Sequence, residues 1–123
     1  MQNLGENEPV RRKIKTEQGQ QAVASVRSGD QTQLATAVRY LLEELGTRAE
    51  GNTVEVRVPP FGAVQCIEGP RHTRGTPPNV IEMSAEIWFA LAVGDLSWDA
   101  ALAAGSIHAS GSRAEIKAHL PLV

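Results

Sequence analysis

Leu34, Ala37, Val38, Leu41, Leu42 and Leu45 recur at helical spacing and draw one apolar stripe along a helix. Asp30 stands at the N-cap position, Gln33 completes a capping box, and Gly46 is the expected stop. A helix striped this way must lie on an apolar surface, so the chain needs a second layer. Residues 53–58 supply it. Val54, Val56 and Val58 alternate with Glu55 and Arg57, the period of a half-buried strand. The valine face is the natural partner of the leucine stripe.

The other elements follow from breakers and caps. Pro59, Pro60, Phe61 and Gly62 interrupt the ladder as a turn or bulged edge. Residues 63–68 resume as a hairpin partner whose register is open: Val64 and Cys66 face one way, Ala63, Gln65 and Ile67 the other. Residues 79–83 read as a short strand. Ser84 caps a helix over Ala85–Val93, Met83 staples it by packing on Trp88, and Gly94 stops it. Ser97 caps a helix over residues 98–104, stopped by Gly105. Residues 107–110 form a last strand. Ser112 and Glu115 make a capping box for a final helical turn before Pro121. Upstream, residues 16–28 read as a short helix capped by Thr16, with Ala22, Val23 and Val26 on its apolar face. Gly19 counts against it.

The expected fold is α+β: a small, mostly antiparallel sheet of four or five strands with helices packed on one face. Residues 1–15 are expected to be a flexible N-terminal segment, and residues 16–123 a single domain.

A net charge of −2 argues against a dedicated nucleic-acid binder, which carries a strong basic excess. The basic cluster Arg11, Arg12, Lys13 and Lys15 reads as a solvated tail or a first-turn neighbour, with anionic-surface binding as the alternative. One cysteine cannot form an internal disulfide. The start, MQNLGENEP, lacks the blocks of a signal peptide, and no apolar run approaches the ~20 residues that span a bilayer. A cytoplasmic location is the default expectation.

The second half of the chain resembles the sterol carrier protein domain of the type-two, nonspecific lipid-transfer kind. The resemblance rests on the strand ending in Met83, the capped helix SAEIWFALAV, and the spacing Gly94, Leu96, Ala101, Gly105, Ile107, Gly111. It is most specific over residues 79–111 and extends over roughly 30–123, nearest to the small stand-alone bacterial members. It implies a sterol-carrier-like sheet and non-catalytic binding or carriage of an apolar ligand, a lipid or fatty-acyl group. The chain departs from that family in a shortened first sheet section and in the segment PRHTRGTPP between its second strand and the next.

Candidate walls for an apolar ligand are Val56, Phe61, Ile81, Trp88, Leu91, Leu96, Trp98 and Ile107. Leu41, Leu120 and Leu122 could join them, and the same residues would equally well fill a solid core. The candidate head-group site is Arg71, His72 and Arg74, whose guanidinium forks suit a carboxylate or phosphate. Pro59-Pro60 and Pro77-Pro78 stiffen both ends of that stretch. The alternative is a protein-interaction module that presents the Pro-framed loop 59–78 on a rigid platform with a filled core.

No enzyme is expected. Cys66 with His72 would form a nucleophile–base pair, but a cysteine in an apolar strand is more often a small buried hydrophobe. No G-x-S-x-G elbow occurs. His72, His108 and His119 lack metal-ligand spacing, and GPRHTRG lacks the ending of a phosphate loop. No metal or cofactor is expected, and homo-oligomerisation is left open.

Overall fold

In the computed structural model, which describes residues 13–69 and 79–123, the valine face of β1 (Val54–Val58) is wholly buried. β1 forms an antiparallel hairpin with β2 (Gly62–Cys66), Val56 opposite Val64. On its other side it runs parallel to β3 (Asn79–Glu82), Val56 opposite Ile81. β4 (His108–Ser110) closes the order β2-β1-β3-β4, antiparallel to β3. The four-stranded sheet is therefore mixed, with two antiparallel pairings and one parallel.

The register of the second strand is resolved. Val64 and Cys66 turn inward beside the valines, while Ala63 is exposed and Gln65 half-buried. Ile67 leaves β2 at φ 68°, an unusual angle for a β-branched residue. Two backbone bonds hold it there: its N–H donates to Ala49 O at 2.7 Å, and its carbonyl accepts from Thr53 N–H at 3.1 Å. The opposite sheet face is polar and open, with an Arg57–Glu55 ion pair at 2.8 Å.

Among the described residues, four α-helices accompany the sheet: α1 (Thr16–Arg27), α2 (Leu34–Arg48), α3 (Ala85–Val93) and α4 (Trp98–Ala103). The stripe of α2 behaves as its spacing predicts, with Ala37, Val38, Leu41, Leu42 and Leu45 all buried. α3 locks onto α2 through the buried Trp88 indole, whose Nε1 donates to Val38 O at 3.3 Å. Met83 and Trp88 are both buried in the one core, as the staple requires. Ser84 accepts from Ile87 N–H and Ser97 from Ala100 N–H, so both serine caps form. Gly94 and Gly105 take left-handed angles (φ 87° and 75°) behind α3 and α4.

Several local expectations are corrected. Thr16 is the first residue of α1 rather than its cap, which is Lys15 without a side-chain bond. Asp30 caps a separate 3-10 turn (Gln31–Gln33), its Oδ1 accepting from Thr32 N–H at 3.0 Å. Its own N–H donates to Ser25 O at 2.9 Å, so Gln33 finds no donor and the capping box does not close. Gly46 does not stop α2, which runs on to Arg48 with Gly46 buried inside it.

The box of Ser112 and Glu115 also fails. Glu115 N–H donates to Arg113 O, and Arg113 N–H is taken by Asn79 Oδ1 at 2.8 Å. Only a 3-10 turn, Lys117–His119, follows. At the other end of the domain, Lys13 and Ile14 each donate a backbone N–H to Glu43 Oε1 at 3.1 Å, and Ile14 packs on the core. The rest of the segment assigned to the N-terminus, residues 1–12, lies outside the described residues.

Candidate functional site

α3 is apolar on nearly every side, and a helix of that kind needs cover all round. α2 covers one side. The C-terminal segment covers another: Leu122 is buried, and its N–H donates to Ala92 O at 2.7 Å. Pro121 follows closely over Gly94, where a Cβ would come within 3.5 Å of it. The cover is incomplete. Between the end of α3, the start of α4 and this segment runs a groove of about 340 Å³. Leu91, Leu96, Trp98, Leu120 and Pro121 form its apolar walls.

The rim carries one charge of each sign. Lys117 Nζ donates to Asp99 Oδ2 at 2.7 Å, joining the 3-10 turn to α4. That hydrogen bond, and then the charge of Asp99, push the lysine pKa up, so Lys117 is an ammonium at neutral pH. Apolar walls under a charged rim suit a ligand with a hydrocarbon tail and a polar head.

Two other depressions differ in chemistry. One of about 320 Å³ lies among α1, α2 and α3, over Val26, Leu34 and Phe89. Arg27, Gln31, Glu86 and Asp95 crowd its edge, with Arg27 and Asp95 paired at 3.7 Å. The second, about 620 Å³, lies on the open sheet face among Arg57, Val80, Glu82, Ile107 and His108.

The sequence-predicted walls separate into groups. Leu91, Leu96 and Trp98, together with Leu120, share the groove. Leu41, Val56, Ile81 and Trp88 are 0% exposed, so no water-sized space adjoins them, and the core at their side chains is solid. Leu122 is buried with them. Phe61 sits at the hairpin turn, half-buried, where Arg39 Nε donates to its carbonyl at 2.9 Å and the guanidinium lies over its ring. Ile107 borders the depression on the open sheet face.

Arg71, His72 and Arg74 lie outside the described residues, as do Pro77 and Pro78. Gly69 and Asn79, the described residues on either side, both meet Thr53. Gly69 comes so near that a Cβ there would stand 2.5 Å from Thr53 Oγ1. Asn79 is buried and donates from Nδ2 to Thr53 O at 2.9 Å. Pro59-Pro60, at the start of the framed stretch, is a cis peptide.

Cys66 is fully buried, and burial pushes its thiol up to about 12. At neutral pH it is a protonated side chain that a solvent-borne substrate cannot reach. Among the described residues, no group of three or more His, Cys, Asp or Glu could hold a metal ion, and no helix is long and apolar enough to cross a membrane.

Lys117 and Asp99 escaped the sequence reading as a site. Eighteen residues separate them on two surface elements, and neither belongs to a motif. The one available signal was the absence of Lys and Arg from residues 75–112, which makes Arg113 and Lys117 the first cations able to answer Asp99 from the C-terminal side.

A family model described as the bacterial SCP ortholog matches residues 30–122. A search of the curated proteins finds no match.

Proposed function

Because this chain belongs to the bacterial sterol carrier protein family, we propose that it binds or carries an apolar ligand, a lipid or fatty-acyl group with an anionic head, without performing chemistry on it. Family membership points to lipid binding in general and to domains that are generally non-catalytic carriers. In our reading the tail lies against Leu91, Leu96, Trp98 and Leu120, and the head meets Lys117 at the rim.

The observation that carries this reading is the groove: about 340 Å³ of space with apolar walls and an ammonium at its mouth. That volume is at the lower end of the range for small-molecule sites, roughly 300–1,000 Å³. Burying a methylene gives about 0.8 kcal/mol, so a tail of about eight methylenes would give roughly 6 kcal/mol and binding in the tens of micromolar. We assign Arg71, His72 and Arg74 to a larger anionic head, such as a phosphate. Val56, Ile81 and Trp88 would line a tail only if the solid core around them opened. Phe61 and Ile107 have no part in this site. We take the protein to act in the cytoplasm, with nucleic acid excluded from its partners.

Native mass spectrometry of gently purified protein tests the reading, with a decanoate titration beside it. Retained acyl ligand or saturable decanoate binding supports it. Repeated absence of both at several hundred micromolar ligand overturns it.

One observation favours a second reading. The solid core at Leu41, Val56, Ile81 and Trp88 suits a rigid platform that presents residues 59–78 to a protein partner. That reading predicts a partner captured by the wild-type protein and lost on Arg71→Ala or Arg74→Ala. Capture indifferent to both substitutions rejects it.

A further inference from the structure

We infer that Asp99 sets how strongly the groove favours a carboxylate head: it occupies Lys117 in the empty protein and an incoming anion must displace it. This rests on the lipid-binding reading of the same groove. Lys117 and Asp99 both line the groove and meet at 2.7 Å in a charge-assisted hydrogen bond. Among the described lining residues, Lys117 is the one cation and Asp99 the one anion, so the rim as built is electrically neutral.

A carboxylate that pairs with Lys117 must break the existing contact and then stand close to the carboxylate of Asp99. Glu115 adds a further negative charge near the lysine. A hydroxyl head on the same tail meets neither obstacle, because it carries no charge and can hydrogen-bond to either partner. The two side chains are 54% and 69% exposed, and exposed ion pairs of this kind hold weakly. Asp99 therefore works as a displaceable counter-ion. It narrows the advantage of acids over alcohols without abolishing it, and it disfavours heads of higher charge more strongly.

The probes are decanoate and 1-decanol, titrated separately into wild-type protein, Asp99→Asn and Lys117→Gln, and followed by tryptophan fluorescence. The readout is the ratio of the two dissociation constants, which cancels changes in tail binding. Asp99→Asn is expected to shift that ratio toward decanoate by about two- to fivefold, and Lys117→Gln to shift it toward decanol by a similar factor. Asp99 is exposed, so Asp99→Asn is expected to fold, and a thermal melt checks this. Binding of both probes with a ratio unmoved by Asp99→Asn overturns the counter-ion inference and leaves the lipid-binding reading standing. Binding of neither probe by the wild-type protein overturns both.

Discussion

Gly19 of α1 and Tyr40 of α2 meet so closely that a Cβ on Gly19 would overlap the tyrosine ring. Helix propensity alone predicts that Gly19→Ala stabilises α1 by up to about 1 kcal/mol. The contact predicts the opposite. Forcing a methyl group against a buried ring costs about 1–3 kcal/mol, so Gly19→Ala should lower stability by urea denaturation. An unchanged or higher midpoint would mean that the two helices separate easily.

Asn79 ties together three parts of the chain. Its Nδ2 donates to Thr53 O and its Oδ1 accepts from Arg113 N–H. Asn79→Ala strands two backbone groups, each costing about 1–3 kcal/mol when left unsatisfied. A loss of about 2 kcal/mol or more is expected, with faster hydrogen exchange at the Arg113 amide. Exchange there at the wild-type rate would show that Asn79 is not the partner that protects it.

Much of the local pattern was legible. The alternating valines of β1, the leucine stripe of α2 and the caps Ser84 and Ser97 each depend on neighbours within one turn or one strand, and each forms as its spacing predicts. Other features were decided by distant residues. Gly19 looked like a breaker because its partner, Tyr40, lies on another helix. The parallel pairing of β1 with β3 depends on how the chain crosses between β2 and β3, which no periodicity encodes. The site divided the same way. Leu91, Leu96 and Trp98 were readable as apolar wall, whereas the Lys117–Asp99 rim exists only once the C-terminal segment folds back over α3.

Cys66 gives a pH prediction with a definite sign. Burial raises its thiol from 9.0 to about 12, so the unfolded chain releases this proton first. Its contribution is fully present below pH 9 and declines as pH rises through the 9–12 window, at up to about 1.4 kcal/mol per pH unit. Subtracting the stability profile of Cys66→Ala from that of the wild type isolates this slope. A flat difference above pH 9 would mean that the thiol ionises alike in both states. In the native protein Cys66 should also resist a disulfide reagent until the chain unfolds.

Filling the groove should block it. Leu96 is half-buried on the groove wall, so Leu96→Trp adds bulk where the tail is expected, with little cost to the core. Decanoate binding should weaken about tenfold, equivalent to about 1.4 kcal/mol, while the melting temperature changes little. Wild-type affinity in a folded Leu96→Trp protein would place the ligand elsewhere.

On the proposed function, the groove beside α3 and α4 holds an apolar tail. A two-dimensional NMR titration with decanoate tests it most directly, because the two tryptophans report on different places. The Trp98 indole N–H and the amides of Leu91, Leu96 and Leu120 should shift together and saturate, while the Trp88 indole, bonded to Val38 O inside the core, stays in place. No saturable shift, or shifts gathered on Arg57, Glu82 and His108 of the open sheet face, would rule out a tail in this groove.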